Sequence, residues 1–162
     1  LETQLQKRLD PMDAQDTAVI LTADHGFINT DVEENIDLLE IDGVEEALEE
    51  TGEGEKIMPF GGPRNTHLRI QRDRRNEVKK ILEEKLEATI WTKEEALEQG
   101  IFGKKYFDSF EDRIGDLIIS HESQAIWHGE SDELDFIGHH GGLSNQEMEI
   151  PMVSAYLENL TN

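Results

Sequence analysis

The stretch Thr17-Ala18-Val19-Ile20-Leu21-Thr22 constrains the fold more than any other: it is short, uncharged and rich in β-branched residues. Apolar residues on both of its alternating faces predict a strand buried on both sides of a parallel sheet. Asp24-His25-Gly26 follows just past its end. Open α/β sheets gather their ligands beyond the carboxyl ends of their strands. Gly26 lets the backbone turn there at once, so that both side chains face one place. A hard carboxylate beside an imidazole suits zinc, manganese or a similar divalent ion. The same Asp24 could instead do no more than cap the next element, and the pair alone does not choose between these roles.

The remaining pattern alternates between helix and strand. Leu1, Leu5 and Leu9 recur at helical spacing before Pro11, so the chain is expected to open inside a helix, as an excised segment would. A short helix is expected around Val44, Ala47 and Leu48, ending at Gly52, and a half-buried strand over 67–71. The stripe Val78, Ile81, Leu82 and Leu86 predicts a helix over 74–86, with Lys79/Glu83 and Lys80/Glu84 paired along it. Strands over 88–91, 114–120 and 150–156 and a helix over 93–99 complete the series. We expect core-sheet segments at 1–45 and 130–162 and an inserted α+β subdomain at 46–129.

Composition narrows the setting. The 37 acidic and 15 basic residues give a formal charge of −22. Such a surface repels itself at low ionic strength and suits a salt-rich interior, so a halophilic source is expected, the alternative being a merely acidic protein. Nucleic acid is a poor partner for it. With no cysteine, disulfides and thiolate metal sites are excluded, any metal must be held by carboxylate and imidazole, and a cytoplasmic location is expected. No apolar run approaches the roughly 18 residues of a membrane span. Charge is also uneven along the chain: 31–55 holds 12 acidic residues and no basic one, whereas 64–85 holds 8 of the basic residues. The basic stretch could attract phosphate, but a solvated helix face with counter-charges is the simpler reading.

A second cluster, Gly138-His139-His140-Gly141-Gly142-Leu143-Ser144, places adjacent histidines between glycines. Neighbouring side chains alternate in direction, so at most one of them faces a given ion. Asp31-Val32-Glu33-Glu34-Asn35 is a weak match to a calcium loop, because Ile36 stands where that loop needs glycine. His67 reads as a sheet histidine, and His121 and His128 as surface residues flanking a hairpin.

Taken together and in order, Thr22-Ala23-Asp24-His25-Gly26, the His-His-Gly-Gly-Leu-Ser block and Glu147-Met148-Glu149-Ile150-Pro151-Met152-Val153 resemble the second half of the type I phosphodiesterase/nucleotide pyrophosphatase family, in the alkaline phosphatase superfamily. Trp91-Thr92-Lys93-Glu94-Glu95-Ala96 and Arg113-Ile114-Gly115-Asp116-Leu117-Ile118 are similar to framework stretches of the same family. The resemblance implies an α/β fold, part of an alkaline-phosphatase-like and mostly parallel sheet with an inserted α+β subdomain. It also implies two divalent metal ions, zinc or manganese, that clamp a phosphoryl group of a nucleotide or other phosphate ester. A threonine or serine of the family attacks phosphorus to give a covalent phospho-enzyme, which water then hydrolyses. Position by position, Asp24 and His25 correspond to ligands of one ion and His140, directly before the glycine pair, to a ligand of the other.

The chain departs from the family where the nucleophile should be. The family places its first aspartate ligand, the nucleophile and an Asp-x-x-x-His pair upstream, yet only 21 residues precede Thr22 and none is histidine. Thr3 and Thr17 lack the nucleophile's context. The 162 residues are therefore expected to be inert alone and to need the N-terminal half of the same fold as a partner. A sulfatase or cofactor-independent phosphoglycerate mutase branch shares the Asp-His block, and a non-catalytic interaction domain could keep the fold without the chemistry.

Overall fold

The computed structural model describes residues 16–129 and 132–160, apart from the side chains of residues 158 and 160. The helix expected over 1–9, and Thr3, lie outside them. The described residues form two compact units, one between Phe27 and Met148 and one from the flanking segments that end at Gly26 and start at Glu149.

In the flanking unit, β1 (Ala18–Thr22) pairs with β10 (Met152–Tyr156), register Ala18↔Tyr156 to Thr22↔Met152. Both strands fall where the apolar runs predict. The pairing is antiparallel, unlike the parallel neighbours expected, because the chain leaves β1 at Thr22 and re-enters β10 at Met152, directly opposite. Two-sided burial is not found either: Ile20 and Leu21, on opposite faces, are 62% and 66% exposed.

The larger unit holds β2 (Ile28–Asn29), β3 (Ile36–Asp37), β4 (Phe60–Gly62) and β5 (Asn65–Leu68), then α1 (Arg75–Lys85), β6 (Ala88–Thr92) and α2 (Lys93–Glu98), and finally β7 (Leu117–His121), β8 (Ile126–Trp127), β9 (Gly138–His139) and α3 (Asn145–Met148). Its main sheet is antiparallel with order β4-β5-β7-β6. β2 pairs with β9 antiparallel, and β3 with β8 in parallel. That last pairing corrects the hairpin expected between His121 and His128: β7 and β8 join different ladders.

The predicted stripe sets α1 on the sheet. Val78 and Leu82 are fully buried among Leu38, Leu48, Leu68, Ile70, Leu117 and Ile119, while Lys80–Glu84 stays at the surface at 3.7 Å. On the opposite face Trp91, Ala96 and Ile118 form a smaller cluster. α2 starts at a reciprocal cap: Thr92 Oγ1 accepts from Glu95 N–H at 3.2 Å, and Glu95 Oε2 from Thr92 N–H at 2.7 Å. Asp116 is buried, accepts from Ile70 N–H at 3.0 Å and pairs with Arg75 at 2.7 Å. Both stretches that resemble family framework thus fix helix-to-sheet junctions.

Candidate functional site

The strand β1 delivers Asp24 and His25 together. Asp24 Oδ1 accepts from His25 N–H at 3.1 Å, and Oδ2 lies 3.6 Å from His25 Nε2. Asp24 is 86% exposed, so its oxygens are open to a ligand. His25 Nδ1 stands 2.9 Å from the Gly26 carbonyl. A carbonyl only accepts, so this contact assigns a proton to Nδ1 and puts Nε2 on the side of the Asp24 carboxylate. That is how metal-binding histidines are commonly oriented.

His140 belongs to the larger unit. Its exposed ring meets Phe27 edge-on at 5.0 Å. The adjacent His139 turns the other way: it is buried in β9, paired opposite Ile28, with Nε2 2.8 Å from the Phe136 carbonyl. The two histidines alternate as adjacent residues in extended chain must. An open groove of about 390 Å³ borders this pair, lined by Phe27, Gly61, Gly62, Pro63 and Phe136 among others. Among the described residues no three His, Asp or Glu side chains gather as a metal site would require. The donors at Asp24, His25 and His140 fit a divalent ion in kind, and within either unit they fall short in number.

Sequence reasoning missed the most deeply buried ionic contact. Arg64, expected on a solvated basic face, is 1% exposed. Its Nε and Nη2 donate to Glu147 Oε1 and Oε2, both at 3.0 Å. Glu147 also accepts from Gly142 N–H at 2.9 Å and Ser144 Oγ at 2.6 Å. Burial alone would raise the Glu147 pKa; the hydrogen bonds from Arg64, Ser144 and Gly142 outweigh it and hold the carboxyl below its ordinary value. A signal was present: Ser144-x-x-Glu147 has the spacing of a capping box. Nothing in the sequence pointed to Arg64 as the partner.

His67 is likewise buried, stacked on Phe60 at 5.4 Å, with Nδ1 accepting from Gly115 N–H at 3.0 Å. Burial, then the nearby Arg69 charge, lowers its pKa to about 4. It is a neutral sheet histidine. Asp31 accepts from Glu33 N–H and Asn35 binds Leu134 O and Ala125 N–H, so the stretch weakly similar to a calcium loop is committed to backbone turns.

The fold is that of nucleotide pyrophosphatases. Murine ectonucleotide pyrophosphatase / phosphodiesterase 5 superposes with TM-score 0.66 at 18% identity, over 94% of this chain and 36% of that one. An inactive variant of the murine protein in complex with AMP gives 0.61 at 18% identity, over 85% and 33%. The human counterpart gives 0.61 at 19%, over 94% and 36%. This chain thus spans about a third of the length of these structures. No curated protein sequence matches it significantly. The model of the type I phosphodiesterase / nucleotide pyrophosphatase family matches residues 3–143, and the chain belongs to that family.

Proposed function

We propose that these residues form the C-terminal portion of a metal-dependent phosphodiesterase or nucleotide pyrophosphatase, which hydrolyses phosphate esters through a covalent phospho-enzyme. The observation that carries the reading is the Asp24-His25 pair at the end of β1, with His25 Nδ1 held by the Gly26 carbonyl and Nε2 on the side of the Asp24 carboxylate, 3.6 Å from Oδ2. Asp24 and His25 would hold one divalent ion and His140 the other, zinc or manganese by the chemistry of the donors. Such ions, when bound, neutralise charge developing on the phosphoryl oxygens and orient it for in-line displacement.

The nucleophile and the remaining ligands would come from the N-terminal half of the same fold. Support for that partner lies in the apolar residues exposed on β1 and β10, which two-sided burial in a larger sheet would cover. The 162 residues alone should not turn over a nitrophenyl phosphodiester. Metal-dependent turnover that survives repurification would overturn that expectation. With the N-terminal half present, Asp24→Asn and His140→Ala should each lower turnover beyond the about 10–100-fold that outer-sphere changes cost. Unchanged rates would remove both residues from the site.

The absence of cysteine and the −22 charge support a cytoplasmic, salt-adapted protein. Among the described residues no helix is long and apolar enough to cross a membrane. Raising salt to about 1 M, where the Debye length is about 3 Å, should raise Tm by screening repulsion. A Tm indifferent to salt would argue against salt adaptation.

A further inference from the structure

We propose that the buried Arg64–Glu147 pair positions His140, an inference that rests on the role given to His140 above. His140 sits between two anchors. On its upstream side β9 is fixed by pairing with β2, and the Ile137 carbonyl accepts from Thr30 N–H at 2.8 Å. Downstream the chain turns at Gly141, whose φ of +100° lies where glycine is favoured. It is then caught at Gly142 and Ser144 by Glu147. Each oxygen of Glu147 takes one donor from Arg64 and one from this loop. The guanidinium in turn donates to the Glu122 carbonyl at 3.0 Å and to that of Gln124. The loop after His140 is therefore tied through two charges to the segment following β7.

A fully buried ion pair is a poor choice for stability, since apolar residues of similar volume commonly serve as well or better. What apolar filling cannot do is hold two particular loop donors at fixed points. Gly142 shows how closely the loop is held, because a Cβ there would lie 2.7 Å from Glu147 Oε2 and 2.9 Å from Oε1, so that a larger residue would push the carboxylate off its donors. The second glycine after His140 thus leaves the carboxylate room to reach both loop donors.

The test replaces the pair by apolar residues, Arg64→Met with Glu147→Leu, in the chain as it stands. The Phe27–His140 ring contact is the metal-free readout, followed as a nuclear Overhauser effect. We expect a folded variant that loses this contact and whose Gly142 amide exchanges faster. Titration with Co²⁺ alone, followed by the visible absorption of the metal, should need about tenfold more metal for half-saturation. A folded variant that keeps the ring contact would overturn the proposal and leave the pair a core element only. If the double variant does not fold, Ser144→Ala removes one loop bond and leaves the ion pair. It should weaken the ring contact and speed Gly142 exchange, and no change in either would overturn the proposal equally. His140→Ala separates the two readings. If it leaves the Co²⁺ response unchanged, the ligand role has failed; if it removes the response while the apolar pair has no effect on ring contact or titration, only the positioning role has.

Discussion

β1 and β7 are built from nearly interchangeable sequence, AVILT and LIISH, yet their environments are opposite. Leu117, Ile118 and Ile119 of β7 are 0–1% exposed, whereas Ile20 and Leu21 of β1 stand mostly in the open. The difference lies in what covers them. β7 is central in its sheet, with the α1 cluster against Leu117 and Ile119 and the Trp91 cluster against Ile118. β1 has β10 beside it, whose Met152 and Val153 are themselves 74% and 60% exposed. A continuous apolar run therefore records that a strand suits two-sided burial. Whether it is buried depends on partners that the run does not encode.

The contrast can be broken most forcefully inside the larger unit. Glu147→Ala strands the Arg64 charge in the interior and should cost about 3–5 kcal/mol, read from urea unfolding. A loss below about 1 kcal/mol would mean that water reaches the pair. Slightly smaller, and a direct comparison of covered with open surface, is Leu82→Ala at about 2–5 kcal/mol set against Leu21→Ala at about 0.5 kcal/mol or less. Equal losses would show that β1 is covered in solution.

Protonation provides a third contrast. Folded His67 holds its pKa at about 4 against 6.5 for the free side chain, so between these values the unfolded chain binds the extra proton. Stability is then complete above about pH 6.5 and falls, by up to about 3 kcal/mol, as pH drops toward about 4. His121, lowered by burial and then by the Arg64 charge, acts in the same direction. His67→Gln should flatten this slope, and a variant with an unaltered pH profile would remove His67 as its source. The carboxyls of Glu77, Glu95 and Glu147, all held below the ordinary 4.5, lose their contribution as pH falls from that value through their folded ones. Smallest of all, Lys80→Ala removes a surface pair with Glu84 and should change stability by no more than about 0.5 kcal/mol, because water screens both ends.

Periodicity alone made several elements legible. The helix expected over 74–86 is found at Arg75–Lys85, and the one over 93–99 at Lys93–Glu98. Both have local causes, an apolar stripe in the first and a Thr92–Glu95 cap in the second. Strand direction was harder to read. β1 and β10 run antiparallel because of where the chain re-enters, and β8 joins β3 because of how residues 122–125 turn, neither of which leaves a mark in either strand's composition.

At the candidate site the same division holds. Adjacency in the chain is enough to put Asp24 and His25 together at a strand end, since neighbours need no fold to meet. It also determined that His139 and His140 face apart, since extended backbone alternates its side chains. Tertiary structure alone decided that His139 is the buried one, that Arg64 leaves its basic stretch for the core, and that Glu147, 83 residues further along, receives it. The reason is one of range. Alternation and helical spacing act over a few residues and are written in the local pattern, whereas the partner of a buried charge is chosen by which distant segments the packed core brings together.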